Sequence, residues 1–145
     1  MKNPQALRIG ARLVAGLGLL LAAVLYLFAA PSVDSADGAL LGNGLVVSQG
    51  AVMRSLAVID VLAGIWVLVR PRASSGLAAA VAGVVALWLS PRLSAPGLVD
   101  LGSFALDVRF VAHPLEVAVV IAGLVVAAFW MTRALSDRAR AGRTG

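Results

Sequence analysis

Residues 57–90 read "AVIDVLAGIWVLVRPRASSGLAAAVAGVVALWLS". Two apolar runs flank a short basic turn, "RPRAS", at 70–74. Arg70 and Arg72 cannot rest in hydrocarbon, so each apolar run must end where they begin. Together with the residues before it, the first run is long enough to cross about 30 Å of hydrocarbon at 1.5 Å per residue. The second is slightly shorter. The stretch therefore reads as a helical hairpin: one helix enters an apolar medium, turns at a charged surface, and returns. A single carboxylate, Asp60, lies in the middle of the first arm.

The rest of the chain repeats this pattern. Of its 145 residues, 61% are hydrophobic and 13% charged, against roughly half and a quarter in a typical soluble domain. A chain of this length cannot bury so much apolar surface in a water-soluble core. Four spans are expected, at about 7–30, 50–69, 74–90 and 114–132, followed by a basic tail at 133–145. They form a single membrane domain over 1–145, an all-α bundle of four transmembrane helices. The first span opens on a basic segment and ends "FAAPS", like a secretory signal. Its apolar run is too long for one, and Phe28 is a poor residue for the −3 position of a cleavage site. A retained helix is expected.

Charge sets the orientation. Lys2, Arg8, Arg12, Arg70, Arg72, Arg133, Arg138, Arg140 and Arg143 flank one side of these spans, nine of the 12 basic residues. Arg54, Arg92 and Arg109 fall on the other, near Asp34, Asp37, Asp100 and Asp107. The positive-inside rule then puts both termini in the cytoplasm. The net charge of +5 is a topology signal and a handle for anionic lipid at that face, not a nucleic-acid footprint. The chain has no cysteine, which excludes disulfides, iron–sulfur clusters and thiolate zinc sites.

Small residues recur at helical spacing, where backbones in lipid pack closely. Gly18 lies on the first span, Gly64 on the second, Gly76 and Gly83 on the third, and Gly123 on the fourth. Asp60 shares its face with Ala57 and Gly64, so it is expected to point at neighbouring helices. A central Asp costs around 2.5–3.5 kcal/mol on insertion scales. Three roles answer that cost: a hydrogen bond holding helix register, proton or ion coupling, and contact with a quinone or other ligand.

Arg54 is too far along and around the helix to pair with Asp60. Glu116 opens the fourth span at a matching depth, so an Arg54–Glu116 ion pair is expected at the outer interface. Arg92, Arg109, Asp107 and His113 extend it into a charged cluster. Pro114 suits a first helical position, and Glu116 suits the positive end of the helix dipole. One His and one carboxylate in "HPLE" (113–116) are too few for a protein-only metal site. No Walker loop, GxSxG, HExxH or GxGxxG is present, and no catalytic residue or cofactor is assigned. In the outer loops, 31–49 reads as a loop dipping at the interface. In residues 97–110, Asp100, Ser103 and Asp107 share one helical face and Leu101, Ala105 and Val108 another. Residues 106–110 also alternate as a strand would, but a lone strand at a membrane surface has no partner. A short interfacial helix is expected before the fourth span.

The first helix ends "LYLFAAP" (25–31), the second reads "AVIDVLAGIWVLVRPR" (57–72), the third is alanine-rich and the fourth begins acidic. Together they resemble the DoxX-like group of small four-helix bacterial membrane proteins, over most of 7–132. In that group the second helix often carries an acid followed by a small residue, matched here by Asp60 and Gly64, with Glu frequent where Asp60 stands. "SPRLS" (90–94) and "HPLE" also look like a second group in the same superfamily. The resemblance implies a multi-pass protein of the bacterial inner membrane, and for some relatives a part in quinone-linked or other membrane redox complexes.

The leading expectation is a non-enzymatic accessory or scaffold subunit, assembled as a homo-oligomer or with a partner membrane subunit. A small proton- or ion-coupled transporter using Asp60, and a quinone-interacting redox subunit, are the alternatives.

Overall fold

A computed structural model describes residues 3–34, 39–41, 45–89, 98–100 and 105–142. The chain runs α1 (Pro4–Val33), β1 (Ala39–Leu41), β2 (Leu45–Val47), α2 (Gln49–Val69), α3 (Ala73–Leu89), β3 (Leu98–Asp100), β4 (Ala105–Asp107) and α4 (Val108–Ala141). Among the described residues it is a bundle of four α-helices with two short hairpins. Three of the helices, Pro4–Val33, Gln49–Val69 and the Val111–Ala141 part of α4, are long and apolar enough to cross a membrane. The 17 residues of α3 extend about 26 Å.

Local chemistry sets the helix ends. Asn3 caps α1 by accepting from the Gln5 backbone N–H at 3.1 Å, with Pro4 in the first turn. Ser48 caps α2 by accepting from Ala51 at 3.2 Å. Ser75, fully buried, knits the α2–α3 turn. Its hydroxyl accepts from the Arg72 N–H at 2.9 Å and donates to the Arg70 carbonyl at 2.8 Å. Arg12 of α1 donates to the Leu68 carbonyl, one of those left unpaired in the last turn of α2.

Each helix packs against its neighbours in chain order, and α4 closes the ring onto α1. The α1 and α3 helices also meet across the centre, leaving α2 and α4 at opposite corners. Glycines set the closest approaches. A Cβ on Gly76 would lie 2.7 Å from the Gly123 carbonyl and the Ala127 N–H, and one on Gly123 would lie 2.7 Å from the Gly76 carbonyl. Gly64 meets the Gly16 carbonyl, Gly18 meets Val119, and Gly83 meets Val120 and the Glu116 carbonyl. The interior is rich in Ala and Gly, whereas Leu17, Leu21, Phe28, Leu62, Trp66 and Ile121 are exposed. In water this distribution would leave a large apolar surface unpaired.

Two ends can be distinguished. The start of α1, the α2–α3 turn and the end of α4 share one of them, with Arg8, Arg70 and Arg72 in one pocket. This is the basic end. The other carries two antiparallel hairpins, β1–β2 and β3–β4.

The second hairpin corrects the expected interfacial helix before the fourth span. Leu98, Val99 and Asp100 pair with Asp107, Leu106 and Ala105. The strand that lacked a partner finds one in its own loop, which satisfies the backbone locally. The first hairpin likewise replaces part of the dipping loop at 31–49. The fourth helix also begins six residues earlier than expected, and runs on through much of the basic tail to Ala141.

Candidate functional site

The core is not continuous. One apolar cluster, toward the hairpin end, contains Tyr26, Met53, Leu56, Ala57, Ala86 and Ala112. The other, toward the basic end, contains Leu19, Ala63, Val67, Ala79, Ala82 and Val119. Between them lies a thin layer. On α2 the gap from Ala57 to Ala63 holds Asp60; on α3 the gap from Ala82 to Ala86 holds Gly83; on α4 the gap from Ala112 to Val119 holds Glu116. Both acids are buried, Asp60 1% exposed and Glu116 2%.

Helix geometry explains how both come to lie inside. Asp60 stands at the middle of the buried arc of α2, with Met53, Leu56, Ala57, Ala63, Gly64 and Val67 to either side. Glu116 shares its arc with Ala112, Gly123 and Ala127, the part of α4 that meets α3. Gly83 permits the close α3–α4 approach at this level, since a Cβ there would come within 3.2 Å of the Glu116 carbonyl.

Neither acid has a hydrogen-bond partner among the described residues. All four carboxylate oxygens are buried and unpaired, and so is the Tyr26 hydroxyl. Tyr26 is 2% exposed and central on the buried face of α1. Side chains on a helix lean toward its N-terminus. For Tyr26 that direction is the basic end; for Asp60 and Glu116 on the oppositely directed α2 and α4 it is the hairpin end. The three polar groups therefore lean toward a common level from three helices.

Tyr26 was not singled out in the sequence. Its signal was the chain's one tyrosine, set among small residues, Ala22, Ala23, Ala29 and Ala30, on an apolar helix.

The expected Arg54–Glu116 ion pair does not form. Arg54 binds Asp34 instead, at 3.1 Å through Nη1 with a second contact through Nη2. Two features of the fold account for this. The α2 and α4 helices occupy opposite corners, so Arg54 has no path to Glu116. And because α4 starts at Val108, Glu116 sits about 12 Å along it rather than in its first turn. Pro114, expected to open the helix, lies inside it. Asp34 follows α1 and reaches over the N-terminus of α2, where Gly50 leaves room for its carboxylate. A negative group at that position also suits the α2 dipole.

Of the other members of the expected outer cluster, His113 is the one whose side chain is described. His113 is exposed while Glu116 is buried, so the two face different surroundings. Arg92 and the Arg109 side chain lie outside the described residues.

An apolar groove of about 160 Å³ runs beside α2, lined by Leu27, Ala57, Val58, Val61 and Leu62. Asp60 is on another face of the helix and does not line it. Comparison with family models, with curated proteins and with solved structures finds no match for this chain.

Proposed function

We propose that the chain is an integral membrane protein that passes a proton through the Asp60–Glu116 layer. One observation carries this reading: two carboxylates, on different helices, are buried at a common level with no hydrogen-bond partner among the described residues. Intramembrane acids are costly, and those that persist mark ion paths and proton relays. A purely structural role would draw its stabilisation from a hydrogen bond to a neighbouring helix, and neither acid has one among the described residues. A carboxyl group can bind a proton, release it, and relay it to a second carboxyl or a phenol near it. Tyr26 supplies a phenol directed at the same layer. A scaffold role would place polar contacts on the outer surface, whereas these acids face inward. The described apolar groove beside α2 is not lined by Asp60, so it offers a quinone no contact with that acid.

The test is proton flux into proteoliposomes holding a pH-sensitive dye, driven by a potassium diffusion potential. Wild-type protein is expected to acidify the lumen. Asp60→Asn and Glu116→Gln should each slow this by about a hundredfold, and Asp60→Glu should keep it. Infrared spectra should show a protonated-carboxyl band that each neutral variant diminishes. No flux above empty liposomes, or full flux in both neutral variants, overturns the reading.

A further inference from the structure

At the basic end, a recess of about 670 Å³ is lined by Arg8, Arg70, Pro71, Arg72 and Trp130. Three cations converge there from α1 and the α2–α3 turn. No acidic side chain forms an ion pair with any of them among the described residues. Arg8 is held by aromatic stacking instead, its guanidinium 5.2 Å from the Phe129 ring centroid and 5.5 Å from that of Trp130. Stacking leaves the N–H edge of the guanidinium free to bind phosphate oxygens.

The recess does not end at Arg8. On its other side a groove of about 280 Å³ opens between Leu7 on α1 and Val125, Ala128 and Phe129 on α4. Leu7 and Val125 also border a longer groove of about 540 Å³, floored by Gly10, Ala11, Ala118 and Ala122. From Trp130 to Ala118 these adjoining recesses, which share Arg8 and then Leu7 and Val125 as borders, extend about 18 Å along α4, close to the depth of one leaflet; together they make the channel. Its walls are almost wholly apolar beyond Arg8.

We propose that this channel is a binding site for one anionic phospholipid. The phosphate and its net-negative headgroup lie among Arg8, Arg70 and Arg72, and an acyl chain fills the α1–α4 groove. Charge complementarity selects the headgroup, and continuity with an apolar groove selects a lipid over a free phosphate or a second copy of the chain.

Gly10 provides a clean probe. A Cβ there meets nothing within 4 Å, so Gly10→Leu fills the groove without disturbing helix packing. The experiment measures lipid binding to the full-length protein in neutral detergent by native mass spectrometry. The ligands are phosphatidylglycerol, phosphatidylcholine and glycerol 3-phosphate, and circular dichroism checks the fold of each variant. Phosphatidylglycerol should bind at least tenfold more tightly than phosphatidylcholine, and glycerol 3-phosphate should not compete. Each juxtamembrane arginine accounts for about fivefold, so Arg70→Gln with Arg72→Gln should remove most of the preference. Gly10→Leu should weaken both lipids equally and keep the helical signal. Equal binding of the two lipids, or an unchanged preference in the double variant, overturns the proposal. So does competition by glycerol 3-phosphate, which would mark a soluble-anion site. So does a dimer that Gly10→Leu abolishes, which would mark the groove as a contact between copies.

Discussion

Gly76 and Gly10 are the same residue type in two apolar helices, yet their surroundings are opposite. A Cβ at Gly76 would fall 2.7 Å from two backbone atoms of α4, which cannot move without separating the helices. A Cβ at Gly10 enters open space. Gly76→Ala is therefore expected to destabilise the bundle by about 1–3 kcal/mol. Gly10→Ala should stabilise it by roughly 0.5–1 kcal/mol through helix propensity alone. Unfolding in mixed micelles with increasing dodecyl sulfate measures both; equal effects would refute the packing described for Gly76. Spacing places small residues on one face of a helix, but it cannot tell which of them touches a neighbouring backbone. Asp60 and Glu116 show a similar division. One sits mid-span on a small-residue face, which helix periodicity makes legible. The other's depth depends on where α4 starts, and Pro114 gave a false start signal.

The α2–α3 connection shows how a short element constrains a longer one. Pro71 fixes one backbone angle of the turn, and the Arg70 N–H returns to the Trp66 carbonyl at 2.9 Å to close α2. Ser75 then satisfies an N–H and a carbonyl at once from a fully buried position. Ser75→Ala leaves both without their partner and is expected to cost about 1–3 kcal/mol. The same micelle titration reads this loss, and Ser74→Ala, on the exposed side of the turn, serves as the near-neutral comparison. The turn was legible because arginine and proline interrupt apolar runs unambiguously. The hairpins at the other end were not. Alternation over residues 106–110 suggested a strand, but pairing is a property of two segments. Only the structure joins Leu98–Asp100 to Ala105–Asp107.

The bundle separates charge along its length. Arg8, Arg12, Arg70, Arg72, Arg133, Arg138 and Arg140 all lie at the basic end, whereas Arg54 at the hairpin end is paired with Asp34. That pair is exposed on both sides, 49% for Arg54 and 39% for Asp34, and in water such a pair contributes only about 0.2–1 kcal/mol. Its larger consequence is that it cancels a cation on the hairpin side and so sharpens the asymmetry. The bias of Lys and Arg near span ends sets orientation in a bilayer, which predicts the basic end in the cytoplasm. The lack of native cysteine makes this simple to test. Ser136 is exposed near the end of α4 and Ser32 is exposed in the last turn of α1, so single cysteines at these positions report opposite ends. A membrane-impermeant maleimide applied to intact cells should label Ser32→Cys at once. It should reach Ser136→Cys only after the membrane is opened. The reverse pattern would invert the bundle and set its arginines against the outer leaflet. Labelling of both in intact cells would show that the chain does not hold one orientation.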